Sequence, residues 1–224
     1  MNEEIVKKEI SNEVEIIGDE LEKRKKQLVK FFRERGAWVY TLILAFIAFI
    51  GIRVRVLNIS KLKDVTTGTW TLGPDLDPFL FLRWAKYIVE NGKLMAIDAM
   101  RNAPLASICS GAQCYPINTA MEMKLLPNLI AWLYHFLTIF SKDVTVTYAA
   151  IIFPVVMFGL TIIAFFLFAR KIFYKWDKNR KNIIALISTA LFAVIPSLLP
   201  RTIAGIPEKE AAGFFFIFIS LYFF

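Results

Sequence analysis

Long stretches without a charged side chain constrain this sequence more than any other feature. Residues 148–169 contain no Asp, Glu, Lys or Arg, and residues 37–52 and 183–199 are uncharged in the same way. A helix on the surface of a soluble protein keeps one polar face, whereas a helix that crosses the hydrocarbon core of a bilayer needs about 20 apolar residues in succession. We therefore expect an all-α polytopic membrane protein.

The composition of the 224 residues excludes several other classes of protein. Hydrophobic residues make up 57% and charged residues 21%, against about 45–50% and about 25% in soluble domains. One His and two Cys are too few for a Cys/His zinc cluster, and no glycine-rich phosphate-binding loop occurs. The net charge of +8 comes largely from basic residues that flank apolar runs. This is the pattern of a protein in a lipid bilayer, so we expect no nucleic acid as a partner.

The chain divides into a polar start and an apolar remainder. Residues 1–36 carry a helical repeat of apolar side chains among charges and end in a basic stretch, which predicts a cytoplasmic amphipathic segment. Membrane spans are predicted at about 37–59, 146–169 and 183–199. The uncharged run 211–224 predicts a fourth span that is incomplete. We therefore interpret residues 37–224 as the N-terminal part of a longer transmembrane protein.

The charge distribution decides how the apolar run 125–140 is interpreted. Basic residues before the first span put the N-terminus in the cytoplasm, and the segment 170–181 is also rich in Lys and Arg. Both segments are cytoplasmic only if residues 125–140 lie in the outer membrane interface instead of crossing. Residues 60–143 are then a long external loop that contains an interfacial helix at about 125–140.

This topology puts two acidic segments on the same outer face. Asp75 and Asp77 lie in Gly-Pro-Asp-Leu-Asp-Pro after the first span, and Glu208 and Glu210 lie at the start of the fourth. Carboxylates at a membrane surface are costly unless they are hydrated, paired or bound to metal, and oxygen ligands suit Mg²⁺ or Mn²⁺. The alternative for each pair is a helix N-terminus, where free N–H groups stabilise an acidic side chain.

The residues around both acidic segments resemble one enzyme family. LDPFLFLRWAKYIVENG is similar to the first-loop signature of the catalytic subunit of oligosaccharyltransferase, and PRTIAGIPEKEAAGFFFI resembles the second motif of that family. The order of segments agrees: one span, a long external loop, two spans, and then the second acidic motif. The resemblance runs from about residue 37 to 224 and points to the archaeal enzymes. It implies the N-terminal part of a GT-C-type multi-span glycosyltransferase.

The resemblance also implies an activity. The family transfers an oligosaccharide from a polyprenyl (dolichyl) phosphate or pyrophosphate carrier to the side-chain amide of Asn in Asn-x-Ser/Thr, with Mg²⁺ or Mn²⁺ as cofactor. The implied partners are the lipid-linked oligosaccharide donor, an acceptor polypeptide and the bilayer. The implied location is the cell (plasma) membrane, with several spans and the active site on the external face.

Site residues follow from the same resemblance. Asp77 matches the first-loop aspartate, which binds the metal and faces the acceptor amide. Glu208 and Glu210 match the two metal-binding acids of the second motif, and Arg201 matches an arginine near the carrier phosphate. Glu208 stands where the family mostly has Asp, which adds one methylene. Asp75 has no counterpart, and we assign it a loop or N-cap role. The family's later motifs are absent, so we expect no activity from this chain alone.

Two further pairs of residues leave alternatives open. Cys109 and Cys114 lie in the external loop, where they are either free or joined in a disulfide. Arg53 and Arg55 lie at the outer end of the first span, where we expect them to anchor in lipid headgroups. The alternative for the two arginines is contact with the carrier phosphate.

Two other functions compete with protein N-glycosylation. Another polyprenyl-phosphate-dependent membrane glycosyltransferase, such as a protein O-mannosyltransferase, would also carry acids in its first external loop. The Arg-Thr-x-Ala-Gly that precedes the second acidic motif favours the oligosaccharyltransferase. A non-enzymatic transporter or scaffold subunit would show charges within the spans or broken helices in symmetric halves. The predicted spans are uncharged away from their ends.

The topology predicts which residues a membrane-impermeant thiol reagent reaches on intact cells. In a variant with Ser at positions 109 and 114, a cysteine introduced at Glu210 should react, because we assign Asp77, Cys109 and Glu210 to the external face. A cysteine introduced at Lys175 should react only after the cells are permeabilised, as should one at Arg180. Labelling at position 175 on intact cells, without labelling at 210, would overturn both the topology and the site.

Overall fold

The computed structural model describes residues 37–98 and 117–224, together with residues 18, 19, 22, 23 and 100. Cys109 and Cys114 lie outside the described residues, as does nearly all of the segment 1–36. The disulfide and the amphipathic N-terminal segment therefore stay predictions.

Helices dominate the described chain. They are α1 (Ala37–Val56), α2 (Asp77–Asn91), α3 (Leu125–Thr138), α4 (Val146–Ile172), α5 (Lys178–Val194) and α6 (Lys209–Phe223). A short antiparallel pair, β1 (Ile97–Asp98) and β2 (Ile117–Asn118), lies between α2 and α3, and 3-10 turns occur at Ile59–Leu62, Thr119–Met121 and Pro196–Leu198. Two helices, α1 from Trp38 onward and the whole of α4, are long and apolar enough to cross a membrane. The structure is thus mostly helical, as expected.

Helix α4 is the centre of the packing. It contacts α1, α2, α3, α5 and α6, and buried side chains occur on several of its sides. Ile151 and Phe153 belong to a cluster shared with α2, α3 and α6, while Phe158 and Ile162 belong to a second cluster shared with α1 and α5. Most sides of α4 pack against other helices, and the exposed side chains on its remaining side, which include Val156, Leu160 and Ile163, are apolar. A helix with such a surface has no side suited to water.

Contacts between helix ends give the direction of each long helix. The Tyr40 hydroxyl, near the start of α1, donates to Asn179 Oδ1 near the start of α5 at 3.1 Å. Lys171 Nζ, near the end of α4, donates to the carbonyl of Tyr222 near the end of α6 at 2.6 Å. Helices α1 and α5 are therefore parallel, and so are α4 and α6. The two pairs run in opposite directions, because only a short turn joins the end of α4 (Ile172) to the start of α5 (Lys178). The basic segment 170–181 lies at the opposite end of the bundle from the acidic start of α6.

The ends of α5 correct the predicted span 183–199. The helix begins at Lys178, because the Asp177 side chain accepts a hydrogen bond from the N–H of Asn179 and caps it. It ends at Val194, because Ile195 precedes Pro196 and is pushed to an extended conformation, with ψ of 121°. The other ends are closer to expectation: α1 stops at Val56, α3 at Thr138 and α4 at Ile172, and α6 begins at Lys209.

The predicted external loop contains a second helix, α2, besides the helix predicted at about 125–140. Its buried side chains include Phe81, Trp84 and Ile88, which lie at helical spacing and pack towards α3 and α4. Pro78 occupies the first turn, where a missing N–H costs nothing. Gly92 ends the helix with φ of +74° and donates its N–H to the carbonyl of Ile88.

Arg55 is buried, so its predicted position among lipid headgroups is wrong. Only 1% of the residue is exposed. Its Nε donates to Thr202 Oγ1 at 2.7 Å, and its Nη1 donates to two backbone carbonyls at 3.0 Å. One of these carbonyls belongs to Ala193 in the last turn of α5, where carbonyls lack helical partners. The guanidinium also lies 3.3 Å from the centre of the Phe158 ring. Arg53 is exposed, because two positions along a helix differ by about 200°.

These two arginines provide a matched test of the packing between helices. Arg55→Leu should destabilise the protein by about 3 kcal/mol, since charge-assisted hydrogen bonds to the end of α5 and to Thr202 are lost. In a chain of this size that corresponds to a fall in Tm of roughly 6–12 °C. Arg53→Leu removes the same charge from the same helix and should leave Tm nearly unchanged. Thermal unfolding in detergent measures both. Equal values for the two variants would contradict the buried role of Arg55.

Candidate functional site

A turn at Ala204 and Gly205 joins three distant parts of the chain by backbone hydrogen bonds. The N–H of Ala204 donates to the carbonyl of Arg55 at 3.0 Å, and the N–H of Gly205 donates to the carbonyl of Ile151 at 2.9 Å. The carbonyl of Gly205 in turn accepts from the N–H of Gly73 at 2.9 Å. The start of the first acidic motif therefore lies directly against the second motif.

A proline in α4 helps to explain the bond to Ile151. Pro154 lies inside the helix and has no N–H, so it cannot donate to the carbonyl of Ala150 one turn earlier. A proline of this kind opens the backbone bonding of that turn. The neighbouring carbonyl of Ile151 accepts the hydrogen bond from Gly205.

Gly205 fits this turn because it has no side chain. Its φ is +91°, a region that residues with a Cβ rarely adopt. A Cβ at this position would lie 2.5 Å from Leu62 Cδ1 and 3.2 Å from the N of Gly73. The close approach of the two motifs therefore requires glycine at position 205.

Glu208 is the most buried acid of the predicted site. It precedes α6 as the N-cap residue and is only 5% exposed. Arg201 Nη1 donates a hydrogen bond to Glu208 Oε2, which forms an ion pair. Burial raises the pKa of the Glu208 carboxyl, and the nearby carboxyls of Asp75 and Glu210 raise it further, against the opposing effect of Arg201. The Glu208 carboxylate in turn raises the pKa of Arg201.

Asp75 lies in the loop before α2, one of the two positions predicted for it, and close to Glu208. The N-cap residue of α2 is Leu76, so Asp75 does not cap that helix. The Asp75 carboxyl contributes to the raised pKa of Glu208, and its charge contributes to the raised pKa of Arg201. No local pattern in the sequence reveals this neighbourhood, because it arises from the hydrogen bond between Gly73 and Gly205.

Asp77 occupies the first turn of α2, where the N-terminus of the helix stabilises its charge. Its side chain is exposed and lines a cavity of about 220 Å³ together with Lys209, Glu122 and Trp84. Lys209 lies between the two glutamates of the second motif in the chain. The structure thus brings Asp77 to the start of α6 and Asp75 close to Glu208.

The donor chemistry of this acidic end fits a hard divalent cation, which prefers oxygen ligands. A cation would also relieve the repulsion that raises the pKa of Glu208. Within the described ranges, however, no three acidic, His or Cys side chains are close enough to hold one ion together. The chain therefore presents carboxylates suited to part of a metal shell.

An ion pair that the sequence analysis missed anchors α2 to β1. Asp98 is fully buried and accepts from Arg83 Nη1 at 2.8 Å and from Trp84 Nε1 at 2.7 Å. Burial raises the pKa of Asp98, but hydrogen bonds from Arg83, Trp84 and the N–H of Met100 outweigh it and lower the pKa to about 2. In the sequence, the visible sign of this contact is the neighbouring pair Arg83 and Trp84, shortly after the first acidic motif. The contacts fix the rotation of the helix that carries Asp77.

An apolar groove lies beside the acidic end. It encloses about 480 Å³ between the start of α3 and the first turns of α6. Its walls are mostly apolar, and the charged side chains on them belong to Lys209 and Glu210. The residues that form the apolar walls include Met123, Leu126, Ala212, Phe216 and Ile217. The groove therefore joins a hydrophobic surface to charges of the second motif.

Solved structures of an archaeal oligosaccharyltransferase share this fold. The apo crystal structure of the Archaeoglobus fulgidus enzyme superposes with a TM-score of 0.62 at 22% identity, over 84% of this chain and 19% of that one. AglB from the same organism, in complex with an inhibitory peptide and a dolichol-phosphate, gives a TM-score of 0.61 at 22% identity, over 83% and 19%. The A. fulgidus enzyme with Zn and sulfate gives 0.60 at 22% identity, over 80% and 20%.

The similarity is one of fold over a limited length. The chain spans about a fifth of the length of the solved structures that it matches. No family model matches the sequence, and the comparison with curated proteins also gave no match. The match over more than four-fifths of this chain agrees with the resemblance found in the two acidic motifs.

Two glycines test whether the Gly205 turn holds the site together. Gly205→Ala should destabilise the protein by at least about 1–2 kcal/mol, because alanine disfavours positive φ and its Cβ would clash with Leu62. Gly213→Ala, in α6, meets no atom within 4 Å and should be neutral or slightly stabilising. Thermal unfolding in detergent compares the two variants. A Gly205→Ala protein as stable as the Gly213→Ala protein would show that the turn tolerates a side chain.

Proposed function

We propose that this chain forms part of an oligosaccharyltransferase. The enzyme would transfer an oligosaccharide from a polyprenyl phosphate or pyrophosphate carrier to the amide of Asn in Asn-x-Ser/Thr of a polypeptide. We further propose a multi-pass protein of the cell membrane, with the acidic end of the bundle on the external face. Because the chain spans about a fifth of the solved enzymes, the activity belongs to a protein that also carries the rest of the fold.

One observation carries this proposal. Two acidic segments more than a hundred residues apart meet at one end of a fold that matches archaeal oligosaccharyltransferase structures. The basic segment 170–181 lies at the opposite end, which is the arrangement expected when the acidic end faces outward. One of the similar structures contains an inhibitory peptide and a dolichol-phosphate, and another contains Zn and sulfate. A peptide, a dolichol carrier and a divalent cation are the classes of ligand that the proposed reaction requires.

The proposed chemistry begins with a poor nucleophile. An amide nitrogen is unreactive because its lone pair is delocalised into the carbonyl. We assign Asp77 to the acceptor side, where its exposed carboxylate can accept hydrogen bonds from the amide N–H groups and turn the amide out of conjugation. Its position in the first turn of α2 places the carboxylate on a regular helix that packs against α3 and α4.

The other charged residues of the site would act on the lipid-linked oligosaccharide donor. Asp77, Glu208 and Glu210 would each contribute an oxygen ligand to Mg²⁺ or Mn²⁺, with Asp75 as an adjacent carboxyl. Further groups of the complete protein would have to close the shell, because no three such side chains of the described residues lie close enough to hold one ion by themselves. The bound ion supplies Lewis-acid stabilisation of the departing phosphate. Arg201 is exposed on one side and paired with Glu208 on the other, so its guanidinium can also reach an anionic group at the surface. The apolar groove beside Glu210 can receive the hydrocarbon chain of the carrier.

Two other functions can be distinguished from this proposal by a transfer assay. A protein O-mannosyltransferase would use a similar carrier but would glycosylate Ser or Thr, so the acceptor peptide separates the two enzymes. A transporter or scaffold subunit would have no glycosyl transfer activity in any assay. The fold match to oligosaccharyltransferase structures and the Arg-Thr-x-Ala-Gly motif favour transfer to Asn.

Asp77→Ala in the complete protein should nearly abolish glycan transfer to an Asn-x-Thr peptide. Loss of one preorganised electrostatic group typically lowers a rate by about 10²–10³. Asp143→Ala removes an exposed acid from the segment just before α4 and should leave the rate unchanged. The assay follows transfer of a lipid-linked oligosaccharide to a labelled peptide, with added Mn²⁺ or Mg²⁺ and again in EDTA. Thermal unfolding verifies that each variant is folded.

Several outcomes would contradict the assignment. Undiminished transfer by Asp77→Ala would remove that residue from the active site. Full activity in EDTA would exclude the metal.

Glu208→Asp restores the residue that the resembling family mostly carries, so this variant should keep its transfer activity. Glu210→Ala should raise the metal concentration that the enzyme needs. Transfer to a peptide in which Gln replaces the acceptor Asn would indicate a different reaction.

A further inference from the structure

Asp98 is a buried carboxylate that the proposed chemistry does not use. None of its surface is exposed, and it lies in β1, beyond the end of α2. Both of its oxygens are occupied by α2. Oδ1 accepts from Arg83 Nη1 at 2.8 Å, while Oδ2 accepts from Arg83 Nη2 at 2.5 Å and from Trp84 Nε1 at 2.7 Å. One carboxylate therefore holds two neighbouring residues of the helix that carries Asp77.

Contacts from two neighbouring positions restrict a helix more than a contact from one. Adjacent residues of an α-helix point about 100° apart, so Arg83 and Trp84 reach Asp98 from different directions. The two parallel hydrogen bonds from the arginine add geometric specificity. A turn of α2 about its axis would break at least one of these contacts and leave a buried carboxylate poorly paired, which is costly. Asp98 therefore sets the rotation of α2.

The strand that carries Asp98 is itself held by the fold. β1 pairs with β2 in an antiparallel arrangement. Thr119, which directly follows β2, is 1% exposed. Its hydroxyl donates to the carbonyl of Met95, and its N–H donates to the carbonyl of Ala96 at 3.0 Å. These bonds fix the segment before β1 from its other side, so Asp98 is a firm support for the helix.

The start of α2 depends on a support of this kind. The N-cap residue is Leu76, which makes no side-chain cap hydrogen bond, so the usual local contact does not fix the first turn. Trp84 lies two turns after Asp77, and residues two turns apart share nearly the same face of a helix. Both residues line the cavity of about 220 Å³ at the acidic end. The face of α2 that Asp98 holds is therefore the face that carries Asp77.

We propose that Asp98 is a positioning residue, which sets the place of the Asp77 carboxylate through Arg83 and Trp84; this role rests on the transfer reaction proposed above. A rotation of α2 by about 10° would move a side chain at the helix surface by about 1 Å. A displacement of about 1 Å at a reacting group can cost about 10² in rate. Asp98 is too deeply buried to touch a substrate, so its loss should slow the chemical step more than it weakens binding.

Asp98→Asn in the complete protein tests this role. Asparagine keeps the shape of the side chain but has no charge and one acceptor fewer, so it cannot hold both Arg83 and Trp84. The kcat for transfer to an Asn-x-Thr peptide should fall about 10–100-fold, while KM for the peptide and for the lipid-linked oligosaccharide should change less than about threefold. Should this variant fail to fold, Trp84→Phe removes only the Nε1 donor, and its kcat should fall about 3–10-fold.

A buried leucine remote from the site provides the control for stability. Leu186 belongs to the cluster shared by α1, α4 and α5 and is 6% exposed. Leu186→Ala should lower Tm because it leaves a cavity, yet its kcat should stay within about twofold of the wild type. An equal loss of kcat in Leu186→Ala and Asp98→Asn would overturn the proposal, because it would trace the effect to stability. A rise in KM at unchanged kcat would also overturn it.

The position of α2 can be measured without any activity. Cysteines introduced at the exposed residues Lys86, in α2, and Asp143, before α4, carry spin labels in a variant with Ser at positions 109 and 114. Pulsed EPR measures the distance between the labels. Asp98→Asn should shift or widen the distance distribution by about 1 Å or more.

The two measurements separate this role from the proposed function. An unchanged label distance in an active enzyme would overturn the role of Asp98 alone. A wild-type protein without transfer activity would contradict the proposed function, and the catalytic consequence of Asp98 with it. The label distance would then still show whether Asp98 fixes α2.

Discussion

The hydrogen-bonded turn at Ala204 and Gly205 is the constraint on which the arrangement of the site depends. It joins the end of α1, the proline-containing turn of α4 and the segment before α2 through backbone groups alone. Backbone hydrogen bonds of this kind do not depend on side-chain identity, except that a positive φ and a close neighbour exclude a Cβ at Gly205. The two acidic motifs meet because this one turn holds both of them.

Arg55 stabilises the same region through hydrogen bonds of its side chain. A buried guanidinium is costly unless its donors are satisfied. Here Nε and Nη1 reach Thr202, Gly51 and the last turn of α5, whereas Nη2 is buried without a hydrogen-bond partner among the described residues. The arginine therefore connects α1 to the loop that carries Arg201 and Glu208. The acidic end of the bundle is consequently tied by buried hydrogen bonds.

Charge at the acidic end connects the structure to the proposed chemistry. Burial raises the pKa of the Glu208 carboxyl, and Asp75 and Glu210 add to this effect. A bound cation would offset this cost, which is the physical reason for the metal proposed at that end.

The sequence by itself determined the helical class, the long helices α1 and α4, and the two acidic motifs, because uncharged runs and local residue order are properties of the chain alone. It also predicted that the acidic motifs and the basic segment lie at opposite ends. Only the tertiary structure decided that Arg55 is buried, that Asp75 lies close to Glu208 and that Asp98 anchors α2. Each of these facts depends on contacts between residues far apart in the chain. Hydrophobic periodicity carries no information on which distant backbone group a given turn will meet, and that choice is made by packing around α4.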